Sequence, residues 1–138
     1  MKKASIQKLV AVLSMVLLLG VITPKASAAS YPVPLYTVLA NVSATLSISS
    51  TGMATCSGSA KTFDSDYVIE LSMDLIKYDQ DETIKSWSTS GKTSVSLSKK
   101  NWYVAKGHDY QVVVTAKVYD TNNRLVETAS AESGIFSY

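Results

Sequence analysis

The residues best suited to chemistry in this 138-residue chain are few: one histidine, His108, one cysteine, Cys56, and several short runs of carboxylates. His108 lies in KGHDYQVVV (106–114), directly before Asp109 and two residues before Tyr110. An imidazole beside a carboxylate suggests a general base with its orienting partner. That role also needs a nucleophile held within reach, and the chain has no Gly-x-Ser-x-Gly elbow to present one. As a metal ligand His108 lacks a second histidine, and a single cysteine cannot complete a zinc site with it. The expectation is a solvated loop histidine, with no catalytic residues, no metal site and no cofactor.

Cys56 cannot close an internal disulfide, because it has no partner in the chain. It lies among small residues in a strand-like stretch, where a thiol packs as a small apolar group. Nothing near it in sequence would lower its pKa and make it a nucleophile. In an oxidising exterior it could link two copies, so a disulfide-linked homodimer through Cys56 stands as the alternative.

Asp79-Gln80-Asp81-Glu82 and Asp64-Ser65-Asp66 gather carboxylates that suit calcium. Neither has the spacing of a full calcium loop, and both read as polar turns. Gly91-Lys92-Thr93 imitates the end of a phosphate loop, but Ser86 stands where the first glycine belongs. Trp87, Trp102, Tyr103 and Tyr119 remain as aromatics to place in the core or on a contact surface. Trp87 is expected to fill the space opposite the small residues Ala54 and Cys56. Trp102 and Tyr103, expected in a loop, are the first candidates for contacting a partner.

The elements that must position these residues begin after a leader. Lys2, Lys3 and Lys8 precede an apolar run from Leu9 to Ile22. Pro24 and the small-x-small motif Ala26-Ser27-Ala28 follow. That order predicts a secretory signal peptide over 1–28, and the run is shorter than a membrane span. Export would remove four lysines, leaving nine bases against eleven acids in 29–138, a net charge of −2. No basic tract then remains for nucleic acid, and no membrane anchor is expected after cleavage. The working protein is expected outside the cell.

Residues 29–40, with Pro32 and Pro34, predict an extended lead-in, and 41–138 a single domain. Complete two-residue alternation in Asn41–Ile48, and near-complete alternation in Ile69–Ile76 and Tyr110–Tyr119, predicts half-buried strands. Weaker strands are expected at Met53–Ala60, Ile84–Ser90, Ser94–Ser98 and Leu125–Ser133, separated by turn residues. Seven short strands, each with one apolar face, predict an all-β antiparallel sandwich of the immunoglobulin/fibronectin type III kind. In such domains a tyrosine opening the sixth strand bonds back to upstream backbone. Gly107 and Tyr110 hold the positions of that corner.

LSISSTGMATCSGSA (46–60), SWSTSG (86–91), GHDYQVVVTAKVYD (107–120) and VETASAES (126–133) together resemble an uncharacterised family of small secreted proteins from Gram-positive bacteria. The family's pieces fall on Gly52, Ala54 and Cys56, on Trp87, and on Gly107 with Tyr110. The chain departs from the pattern at Glu82-Thr83-Ile84, where a Gly-x-Trp is expected, and at Gln111, where an arginine is. The resemblance implies shape and secretion but no substrate. The expected function is therefore surface recognition of a protein or cell-envelope glycan without catalysis. The alternatives are a small secreted hydrolase with a dispersed Ser/His/Asp site, or a structural subunit that self-associates through an edge strand or Cys56.

Overall fold

Each stretch of two-residue alternation becomes a strand in the computed structural model, which describes residues 36–138. The leader and most of the lead-in lie outside the described residues. In chain order come β1 (Leu39–Ile48), β2 (Met53–Thr62), β3 (Val68–Lys77), a 3-10 turn (Tyr78–Gln80), β4 (Glu82–Lys92), β5 (Ser94–Tyr103), β6 (Asp109–Tyr119), β7 (Leu125–Glu132) and β8 (Phe136–Ser137). All pairings are antiparallel and fall into two sheets, ordered β1-β2-β5 and β4-β3-β6-β7, with β8 paired to the start of β6. The fourth strand joins the third, as in a fibronectin type III-like sandwich, rather than completing the other sheet as in constant immunoglobulin domains.

Several sequence expectations need correction. There are eight strands rather than seven, because Phe136–Ser137 pairs with Asp109–Tyr110. β1 starts at Leu39, so the last two residues of the expected lead-in belong to the sheet. Trp102 and Tyr103 are the last residues of β5 and not a loop, since β5 continues past Ser98 through two lysines. Gly91 and Lys92, between the expected strands Ile84–Ser90 and Ser94–Ser98, also belong to β4. The chain instead changes sheets at Thr93, a non-glycine residue with φ of 63°. The carbonyl of Thr93 accepts from the Thr62 backbone N–H at 2.8 Å, which anchors that strained crossover to β2.

The core lies between the sheets and draws on the alternating rows. Ile69, Leu71, Met73 and Leu75 of β3 are fully buried. So are Tyr110, Val112, Val114, Ala116 and Val118 of β6. Burying one such aliphatic side chain is worth roughly 1.5–3 kcal/mol before entropy is counted. Opposite them β2 presents Ala54, Cys56, Gly58 and Ala60, a row of small groups that lets the sheets approach. At Gly58 the approach is close: a Cβ there would meet Val114 Cγ2 at 2.5 Å. The space opposite β2 at this point is thus filled by Val114. Trp87 packs at the core margin, its ring edge-on to Trp102 with centroids 6.4 Å apart.

Candidate functional site

The sixth strand organises one end of the molecule. Tyr110 is wholly buried, and its hydroxyl donates to the Ala105 carbonyl at 2.8 Å, five residues upstream. That bond ties the start of the β5–β6 crossover to the core. Gly107 turns the chain within it at φ of 86°, a conformation that suits a residue without a Cβ. A Cβ there would meet nothing within 4 Å, so only the backbone angle asks for glycine. Tyr138 closes the corner: its N–H donates to the His108 carbonyl at 3.0 Å, and its own carbonyl accepts from Gly107.

His108 is not simply solvated. Its Nδ1 lies 2.8 Å from Asp79 Oδ2, and its side chain is about a quarter exposed. The other Asp79 oxygen accepts the Asp109 backbone N–H at 3.1 Å. Asp79 sits in the 3-10 turn between β3 and β4, so the pair bridges a hairpin and the corner. The histidine's hydrogen bond, opposed by partial desolvation and helped by the Asp109 N–H, holds the Asp79 carboxyl below its ordinary 3.8. An aspartate on Nδ1 leaves Nε2 to face a substrate, which is half of a triad. Ser137, next to this corner, gives its hydroxyl to Asp109 instead. No sequence signal marks the Asp79–His108 pair, since 29 residues separate the partners.

Cys56 is completely buried on β2, and burial pushes its thiol up to about 11. In the folded chain the sulfur is therefore a neutral core group, not a thiolate. Among the described residues, no three His, Cys, Asp or Glu side chains gather as a metal-binding set. No helix among them is long and apolar enough to cross a membrane.

Two open clefts among the described residues bear on binding. The smaller, about 210 Å³, is lined by Lys77, Glu82, Ile84, Tyr103, Val104, Ala105 and Tyr110. Lys77 and Glu82 form an ion pair across its rim at 3.3 Å. Tyr103 is 65% exposed, whereas Trp102 is half-buried against Trp87, with the Lys85 ammonium 5.4 Å from its ring. Tyr103 is thus the more accessible of the two aromatics chosen from sequence.

The larger cleft, about 520 Å³, opens on the outward face of β4, β3 and β6 and is lined by Val68, Glu70, Ser88, Thr89, Ser90, Tyr119 and Asn123. Tyr119 donates its hydroxyl to Glu70 Oε2 at 3.3 Å. Partial desolvation and the adjacent carboxylate keep that phenol protonated above its ordinary range. Asn123 is held at φ of 59° in a turn built on Asp120, whose carboxylate accepts from the Asn122 and Arg124 backbones and from the Arg124 side chain. Alternation alone assigns Glu70 and Tyr119 to outward rows. That they are neighbours follows only from the pairing of β3 with β6. In comparisons with known proteins, the chain matches no family model, and no curated protein matches it.

Proposed function

We propose that the protein is exported and acts by surface recognition of an extracellular macromolecule, a protein or a cell-envelope glycan, as one fibronectin type III-like module related to the small secreted Gram-positive family. The carrying observation is the pair of open clefts, each combining aromatic and hydrogen-bonding side chains on rigid strands. Binding sites take that form: a pre-set concavity, some apolar surface and a few placed polar groups. The leader pattern at 1–28 and the net charge of −2 after its removal support an extracellular partner that is not a polyanion. The test is capture by the exported protein, recovered from the culture medium, of a partner from its own secreted and wall fractions. Specific retention that Tyr103→Ala or Tyr119→Ala weakens is the expected result. Turnover of a substrate that disappears in His108→Ala would overturn the reading.

A second reading, a dispersed Ser/His/Asp hydrolase, draws support from the Asp79–His108 pair. It requires a serine hydroxyl at His108 Nε2 once substrate is bound. Self-association through an edge strand draws support from β1, a ten-residue edge that carries no charged side chain. Light scattering would show it as a dimer that Thr45→Lys dissolves.

A further inference from the structure

Around the larger cleft, the outward face of the five-stranded sheet sets short hydroxyl side chains and Glu70 beside Tyr119, and its chemistry is narrower than that of a general contact surface. Protein hot spots rely on large anchors driven into desolvated pockets. Here the floor carries Ser88 and Ser90, two residues apart on one face of β4, which sets their Cα atoms roughly 6.6–6.8 Å apart. Glu70 lies directly across the ladder from Ser90, so a carboxylate and a hydroxyl stand side by side. The Tyr119 ring forms one wall, and its neighbour across the ladder, Val68, is 36% exposed and extends the apolar strip. Asn123 adds an amide at the rim, held by the Asp120 turn.

A neutral sugar ring presents this pattern in reverse. One face of a pyranose is a row of C–H groups that stacks on an aromatic ring, and its equatorial hydroxyls come in adjacent pairs that a carboxylate can accept together. The Tyr119–Glu70 bond fixes both groups before a ligand arrives, which lowers the ordering cost of binding. The one charged side chain in the lining is the Glu70 carboxylate, which disfavours an anionic ligand. Lys117, its cross-strand neighbour on β6, and Lys92, across the ladder from Val68 on β4, flank the cleft outside its lining. We infer that this cleft is a subsite for a neutral saccharide, stacked on Tyr119 and hydrogen-bonded by Glu70, Ser88, Ser90 and Asn123. The inference rests on the recognition reading above and names its ligand class and its place.

The test is a heteronuclear NMR titration of the isotopically labelled full-length protein with soluble oligosaccharides of N-acetylglucosamine and of glucose at millimolar concentrations. A poly(glycerol phosphate) arm serves as the anionic comparison. Shifts confined to the amides of Glu70, Ser88, Ser90, Tyr119 and Asn123 with at least one neutral sugar are expected. Glu70→Gln should weaken that binding about tenfold, the equivalent of one charge-assisted hydrogen bond. Ser90→Glu, at an exposed position that leaves the core alone, should abolish it while the rest of the spectrum stays folded. Absence of shifts with both sugars, shifts centred on Tyr103, or stronger shifts with the phosphate polymer would each overturn the assignment. If wall or protein capture persists in Ser90→Glu, the saccharide cleft fails and the recognition reading survives. Loss of capture in all cleft variants, without sugar-induced shifts, points to a protein ligand and overturns the saccharide class alone.

Discussion

Tyr110 serves the fold twice, because its ring fills the core while its hydroxyl satisfies a crossover carbonyl. Tyr110→Phe keeps the ring and leaves the Ala105 carbonyl without that donor. Such a loss costs about 1–3 kcal/mol when the group stays buried and less when water reaches it. Thermal unfolding of the variant should therefore show a lower Tm with an unchanged far-ultraviolet spectrum. A Tm equal to the parent's would mean that the corner bond adds nothing to stability. Asp79 makes a prediction of the opposite kind, one that depends on pH. Its folded pKa lies below 3.8, held there by the His108 side chain, so it binds its proton more readily in the unfolded chain. The resulting stabilisation is complete above the unfolded value and is lost as pH falls through the folded one. Asp120 is depressed in the same direction by the Arg124 and Asn122 contacts. In Asp79→Asn the decline of Tm below pH 3.8 should consequently become shallower without vanishing. An acid limb superimposable on the parent's would remove Asp79 from the account.

At the scale of the strands, what matters is how closely two faces can meet. β2 gives the three-stranded sheet a small-residue face, and β6 fills it from the other side, with Val114 close against Gly58. Gly58→Ala pushes a methyl into that contact, and overpacking of this order costs about 1–3 kcal/mol. Urea unfolding should show a lower midpoint at an unchanged slope. Adding Val114→Ala should give a double variant less destabilised than the sum of the two changes, because the contact is shared. Strict additivity would show that the clash relaxes elsewhere. The inward rows of the alternating strands were legible in the sequence, since alternation is local: Ile69, Leu71, Met73 and Leu75 could be assigned to one face from spacing alone. Tyr110 was legible for the same reason, its partner being only five residues away. The β5 extension through Lys99 and Lys100 was not, because edge strands tolerate exposed lysines that local pattern reads as a loop. The Asp79–His108 pair and the Glu70–Tyr119 pair were not legible either. Each joins residues far apart in the chain through a strand order that periodicity does not encode.

Across the whole molecule, two open sheets leave two margins where core could meet water, and the chain closes them by different means. Along β4 and β5 the closure is apolar: Trp87 and Trp102 meet edge to face at the core boundary. Along β1 and β7 it is polar. The Glu127 carboxylate, on β7, accepts the backbone N–H groups of Thr37 at 3.0 Å and of Val38 and Leu39 at 2.8 Å each. One side chain thus anchors the start of the three-stranded sheet to the edge of the other, across about ninety residues of sequence. Three donors on one carboxylate form a charge-assisted set, and an amide in its place offers one acceptor and turns a donor toward donors. Glu127→Gln should therefore loosen the entry to β1 and leave the β3–β6 ladder intact. Native-state hydrogen exchange is the discriminating measurement, because it reports local opening residue by residue. The amides of 37–39 should exchange about tenfold faster or more, the equivalent of losing one such bond. Those of β3 and β6 should hold the protection of the parent. Equal acceleration throughout would mean that Glu127 supports global stability rather than one margin. No change at 37–39 would mean that β1 is held by its pairing with β2 alone. If the margin does open by itself, the outward face of β4, β3 and β6 stays rigid while the entry to β1 moves. A cleft on that face then keeps its geometry while the entry to β1 opens.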